Sequence, residues 1–231
     1  MPLPGYKDFR LARPFPGLLS TLRTFEPDVV HLASPAVLRA QGAVAARRLG
    51  VPAVAVYQTD LAGFAGRYRL GLAEDAVWSW LRKIHGSAAR TLAPSRHAVE
   101  QLQRNGVERV ARWARGVDLR RFHPVRRDPG LTRRYAPSGE VLVGYVGRLA
   151  HEKEVGLLSA VQDLPGVRLV VAGDGPQRRQ LERQLPKAQF LGFQSGAALA
   201  ATFASLDVFV HTGSHETFCR AAQEALASGW A

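Results

Sequence analysis

Residues 141–175 read VLVGYVGRLAHEKEVGLLSAVQDLPGVRLVVAGDG. Two almost unbroken apolar runs, VLVGYVG (141–147) and VRLVVAGDG (167–175), flank KEVGLLSAVQDL (153–164), whose apolar residues have helical spacing. An apolar run without polar alternation is a strand buried on both faces. Strand, helix and strand in succession form the unit of a parallel sheet. The rhythm continues outward: PQRRQLERQL (176–185) predicts a helix with proline at its first position, AQFLGF (188–193) a strand, SGAALAATFASL (195–206) a helix, DVFVHTG (207–213) a strand and ETFCRAAQEALASG (216–229) a helix.

The same alternation occurs earlier. DVVHLAS (28–34), VPAVAVYQT (51–59), ARTLAPS (89–95) and RVARWARG (109–116) read as strands. Helical patterns fill 35–50, 73–87, with Trp78 and Leu81 on one face, and 95–106. Gly50 ends the first of these helices; Ser95 is the expected N-cap of the last and Gly106 its terminator. The first seventeen residues, MPLPGYKDFRLARPFPG, predict an irregular, proline-broken segment, and PVRRDPGLTRRYAPSGE (124–140) a connection. The fold class expected is α/β, two Rossmann-like parallel-sheet domains over 1–124 and 140–231 joined by a linker at 125–139, with a cleft between them. The second domain stops where a fifth strand is due and the first lacks an opening strand and glycine-rich turn, so the reading expects pieces missing at both ends.

Composition narrows the function. Of 231 residues, 46% are apolar, enough for a buried core, and 22% are charged, which argues against wholesale disorder. Net charge is +12, but only four of the 31 basic residues are lysine, a bias that genome composition produces as readily as chemistry. The arginines are dispersed and not interleaved with aromatic residues, so a nucleic-acid partner is not expected, whereas an anionic membrane surface is an open possibility. One cysteine, Cys219, precludes an intrachain disulfide or a cysteine zinc site. No apolar run approaches the ~20 residues of a spanning helix and no signal core opens the chain. A cytoplasmic protein, soluble or peripheral at the inner face of the membrane, is expected.

In such sheets ligands bind beyond the carboxyl ends of the strands. Gly147, Arg148 and Lys153 follow one strand end, and two cations beside a helix N-terminus suit a diphosphate. Gly173, Asp174 and Gly175 form a turn beside them, a weak signal that a plain strand–helix turn also explains. In HETFCRAAQEALASG (215–229) Glu216 and Glu224 stand eight apart, close to one face of a common helix and more than two turns from each other. Two such carboxylates accept hydrogen bonds from hydroxyls at the two ends of an elongated ligand, as in a nucleotide sugar, and are too far apart to share a water. The competing reading makes Glu216 a helix-start charge and Glu224 a surface residue, although Ala225, Leu226 and Ala227 suggest burial. In the first domain Tyr57, Gln58, Asp60, Arg67 and Tyr68 offer polar and aromatic groups for an acceptor sugar or headgroup; Asp60 orients an acceptor hydroxyl or caps the next helix. The histidines lack metal-ligand spacing, the covalent-hydrolase motifs are absent, and neither metal nor cofactor is expected.

Taken in order, DVVHLASP (28–35), RGVDLRRFHP (115–124), GYVGRLAHEKEV (144–155), LVVAGDGP (169–176), FLGF (190–193), DVFVHTGSHETF (207–218) and EALASG (224–229) resemble the retaining GT-B glycosyltransferases of family 4. YQTD (57–60) with RY (67–68) and ETFC (216–219) is similar, within that group, to actinobacterial GDP-mannose-dependent α-mannosyltransferases acting on glycolipids. The resemblance implies that Arg148 and Lys153 bind the donor diphosphate, that Glu216 contacts the transferred sugar and that Glu224 meets the ribose; Gly147, Thr217 and Phe218, beside them in sequence, are further donor-binding candidates. It implies transfer with retention and without a metal; Glu216, and Asp60 from the reading of the residues themselves, are the catalytic candidates. Gln58 stands where many members carry histidine, Cys219 where glycine is common, and His151 where proline is frequent. A UDP-sugar donor, an inactive truncated homologue and a basic binding module remain the alternatives.

Overall fold

The computed structural model describes residues 2–3, 6–10, 14–33, 37–60, 74–214 and 216–230. The chain divides into two compact units, Met1–Arg115 and Gly116–Ala231.

The first unit opens with β1 (Pro2–Leu3) and β2 (Tyr6–Arg10), an antiparallel pair. This corrects the irregular start expected from the prolines: a proline is tolerated at the first residue of a strand, where Pro2 stands. Then come α1 (Leu18–Phe25), β3 (Val30–Leu32), α2 (Val37–Leu49), β4 (Ala53–Val56), α3 (Glu74–Gly86), β5 (Arg90–Ala93), α4 (Arg96–Arg104) and β6 (Val110–Arg112). Among the described residues β3–β4–β5–β6 form a parallel sheet in that order, as the apolar runs require. Helix ends follow local chemistry. Gly50 adopts φ 71° after α2 and Gly106 φ 75° after α4, while the Ser95 hydroxyl accepts from the Ala98 N–H at 3.1 Å. Trp78, Leu81 and Leu102 pack with Tyr57 in one cluster. Ala43, Ala46, Ala53 and Ala55 pack with Leu32 in another.

The second unit starts with a 3₁₀ turn (Pro124–Arg126) and α5 (Pro129–Tyr135), both within the segment expected as a connection. This segment is tied to its own unit: the Asp128 N–H donates to Ser205 Oγ at 2.9 Å and Arg127 pairs with Asp207 at 2.9 Å. The sheet comprises β7 (Val141–Val146), β8 (Val167–Ala172), β9 (Gln189–Gly192) and β10 (Val208–Phe209), parallel in the order β10–β7–β8–β9 among the described residues. Its helices are α6 (Ser159–Gln162), α7 (Arg178–Gln184), α8 (Gly196–Ser205) and α9 (Arg220–Ala227). Thus the expected fold class, two parallel-sheet α/β domains, is observed. Gly144 lies mid-strand because Leu206 packs on it; a Cβ there would meet Leu206 Cδ2 at 2.3 Å.

Two helices differ from expectation. The one expected over 153–164 breaks into 3₁₀ turns at His151–Lys153 and Val155–Leu158 followed by the four-residue α6. Between the turns Glu154 takes a left-handed conformation, φ 50°, which no helix continues. The helix expected from Glu216 begins instead at Arg220, with Cys219 as N-cap accepting the Ala222 N–H at 3.4 Å through Sγ. No helix among the described residues is long and apolar enough to cross a membrane.

Candidate functional site

The carboxyl ends of β7 and β8 approach each other through bare backbone. The Gly147 N–H donates to the Ala172 carbonyl at 3.0 Å, Gly173 to Gly192 at 2.7 Å, and Leu149 to Asp174 at 2.9 Å. A Cβ on Gly173 would stand 1.8 Å from the Gly147 carbonyl oxygen, and one on Gly175 2.4 Å from that of Leu149. The glycines of the AGDG turn therefore answer to close loop packing. Gly147 has its own constraint: a Cβ there would meet the Tyr145 hydroxyl at 2.8 Å. That hydroxyl donates to the Arg148 carbonyl at 3.1 Å. Burial, and then the charges of Glu216, Cys219 and Glu152, push the Tyr145 phenol well above its ordinary value, so it stays a donor.

On this platform the β7 loop is fastened to the loop after β10. Thr212 Oγ1 donates to the Lys153 carbonyl at 2.6 Å, and the Ser214 hydroxyl to Glu154 at 2.9 Å. The Lys153 ammonium pairs with Glu216 Oε1, each side chain about a quarter exposed. Two residues 63 apart in sequence, both candidates, thus meet at the strand ends. Arg148 lies on the same loop, half exposed and paired with Glu152. Thr217 is buried and Phe218 partly so.

Glu224 sits on α9, so the common-helix geometry expected for Glu216 and Glu224 is corrected: Glu216 precedes that helix. The Glu224 side chain is mostly buried and pairs with Arg220 at 3.2 Å. Desolvation holds its carboxyl above the usual range against the pull of Arg220 and Arg121. Of the neighbours that suggested its burial, Ala225 is itself buried, but Leu226 is exposed.

Two further side chains surround Glu216 that spacing did not single out. His211 follows β10, with Nδ1 3.5 Å from Cys219 Sγ and Nε2 3.8 Å from Glu216 Oε1. The available signal was its position one residue past an apolar strand run. A cavity of about 660 Å³ between α5, α8 and β9 brings Arg134 and Arg168 to one hollow away from this rim, and none of the expected site residues lines it.

In the first unit the Tyr57 ring lies in the core, its hydroxyl 3.2 Å from both Asp60 Oδ1 and Gln101 Oε1. Burial and then Asp60 push this phenol up as well. Gln58 donates to the Ala33 carbonyl at 2.7 Å and accepts from Arg115. In the same unit Arg39, 3% exposed, donates to the Val56 carbonyl at 3.1 Å. Arg67 and Tyr68 lie outside the described residues.

Comparison with known proteins bears on this geometry. Residues 1–121 match the model described as Glycosyltransferase Family 4, and residues 133–231 that described as Glycosyl transferases group 1. The chain belongs to glycosyltransferase family 4. It is 52% identical over 226 residues to a GDP-mannose-dependent alpha-mannosyltransferase of Mycolicibacterium smegmatis, covering 98% of this chain and 60% of that protein. It is 54% identical over 212 residues to one of Mycobacterium tuberculosis, covering 92% and 56%. The chain therefore spans somewhat over half the length of the curated relatives it matches. Among solved structures, Anabaena HepE in complex with UDP and glucose superposes with a TM-score of 0.73 at 19% identity, covering 92% of this chain and 61% of that one. That likeness speaks to the fold, the GT-B class to which the two parallel-sheet domains conform.

Proposed function

We propose that the protein is a retaining glycosyltransferase that moves a hexose, mannose from GDP-mannose, to a hydroxyl of a glycolipid or other sugar acceptor. The observation that carries this reading is the Lys153–Glu216 pair at the strand ends of the second unit. It joins a cation and a carboxylate that a sugar diphosphate can separate. The names of the family members about half identical to this chain supply the donor.

In this reading Lys153 and Arg148 take the diphosphate. Glu216 accepts hydrogen bonds from the transferred sugar, beside Gly147, Thr217 and Phe218, and Glu224 accepts them from the ribose diol. The bond from the anomeric carbon to the phosphate oxygen breaks while the acceptor oxygen bonds that carbon on the same face. The acceptor proton passes to the leaving phosphate. The cations act where negative charge develops, so they contribute more in the transition state than in the ground state. Asp60 orients the acceptor hydroxyl, with Tyr57, Gln58 and Tyr68 on the acceptor side. Exposed Arg120, Arg121, Arg126 and Arg133 favour peripheral contact with an anionic membrane at its inner face, each worth about 1 kcal/mol near such a surface.

The test uses the full-length protein with radiolabelled GDP-mannose or UDP-glucose and extracted glycolipid. Label passing to lipid from GDP-mannose supports the reading. Transfer from UDP-glucose alone, or binding of nucleic acid in place of either nucleotide sugar, overturns it.

A further inference from the structure

His211 holds an unusual place beside the Lys153–Glu216 pair. Its Nε2 is buried, has no hydrogen-bond partner among the described residues, and lies 3.8 Å from Glu216 Oε1. That is the same oxygen that Lys153 occupies. On the other side of the ring, Nδ1 lies 3.5 Å from Cys219 Sγ, which already accepts the Ala222 N–H at the start of α9. The ring is thus anchored by the helix cap and aimed at the carboxylate. Buried polar nitrogens are normally paired, and one left unmatched asks for an occasion on which it is matched.

We infer that His211 is a sugar-selecting positioning residue, which takes over Glu216 when a sugar diphosphate draws Lys153 away, with Cys219 fixing the ring tautomer that makes this possible. The inference rests on the donor reading above and deepens it. If Lys153 turns to a diphosphate, Glu216 loses its cationic partner at the moment it has to face a sugar hydroxyl. Glu216 is about a quarter exposed, so water can meet it in a complex without a sugar, but a carboxylate without a fixed partner is poorly oriented for a sugar hydroxyl. A shift of about 1 Å would bring Nε2 within hydrogen-bond distance. The cysteine decides whether the nitrogen can donate. A thiol proton given to Nδ1 leaves the ring proton on Nε2, facing Glu216. Burial pushes the Cys219 thiol up, which keeps that proton in place. The three side chains then form a line from helix cap to carboxylate, so a change at Cys219 acts on Glu216 without touching the ligand.

The test compares GDP-mannose with GDP by titration calorimetry on the full-length protein, since only the first carries the sugar that Glu216 faces. In His211→Phe, GDP-mannose affinity is expected to fall about tenfold or more, as for loss of a hydrogen bond to a charged group, while GDP affinity changes less than about twofold. His211→Gln, whose amide can still donate, is expected to recover much of the loss. Cys219→Ser, which keeps a donating O–H, is expected to hold the GDP-mannose preference better than Cys219→Ala. Unchanged GDP binding also shows that each variant is folded. Equal weakening of both ligands in His211→Phe, or no change in either, overturns the assignment. A wild-type protein that binds neither GDP-mannose nor GDP overturns the donor reading itself, and this inference with it.

Discussion

Substituting Gly173 with alanine tests whether the strand ends of the second unit are held together as tightly as the backbone indicates. The new Cβ would lie 1.8 Å from the Gly147 carbonyl oxygen and 2.9 Å from its carbon. Both are backbone atoms of a neighbouring strand end, so nothing can rotate aside, and the two chains must part by more than about 1 Å to reach ordinary contact. That opening strains the Gly147 to Ala172 hydrogen bond of 3.0 Å and the Gly173 to Gly192 bond of 2.7 Å. Each contributes about 1 kcal/mol. The backbone at Gly173 has φ 141°, which adds roughly 1–3 kcal/mol for a residue with a side chain. The sum is about 3–5 kcal/mol, a large part of the 5–15 kcal/mol typical of a folded domain. Gly166→Ala is the control: φ is 70°, but nothing lies within 4 Å of its Cβ, so only about 1 kcal/mol is expected. Urea unfolding of both variants measures the difference. A loss of under about 1 kcal/mol for Gly173→Ala, or equal losses in the two, would refute the close approach of these loops.

Lys153→Met is expected to weaken GDP and GDP-mannose alike, roughly 10- to 150-fold, as for loss of hydrogen bonds to a charged group, and calorimetry reads both. Removing the Ser95 hydroxyl by substitution with alanine should lower stability by about 1 kcal/mol in urea unfolding, because the Ala98 N–H loses its partner. His85 is 1% exposed, and burial first, then the Arg39 charge, pushes its imidazole down to about 3. An unfolded histidine protonates near 6.5, so between about pH 6.5 and 3 acid loads the unfolded state alone. Stability should then fall with falling pH by about 1.4 kcal/mol per unit from this group, a slope that His85→Asn removes in urea titrations at stepped pH.

Both sheets were legible in the sequence because parallel strands buried on two faces leave unbroken apolar runs, and VLVGYV and VRLVVA have no other use. The caps at Gly50, Ser95 and Gly106 were legible because their chemistry is local. What failed to show was set by contacts remote in sequence. Val155, Leu157 and Leu158 have helical spacing, yet Thr212 takes the Lys153 carbonyl and Ser214 the Glu154 carboxylate, and the chain turns left-handed at Glu154 instead of continuing a helix. Glu216 looked like a helix-start residue, but Lys153 engages it four residues before α9 begins. The pairing of these two candidates, and the approach of His211 and Cys219 to them, depends on β10 lying beside β7, a neighbour relation that periodicity does not encode.

The most direct measurement is a crystal structure of the full-length protein with GDP-mannose bound. The account predicts Lys153 parted from Glu216, with Lys153 and Arg148 within hydrogen-bond distance of diphosphate oxygens, Glu216 on a mannose hydroxyl and Glu224 on the ribose. A nucleotide seated elsewhere, or seated there with the Lys153–Glu216 pair unbroken, would contradict it.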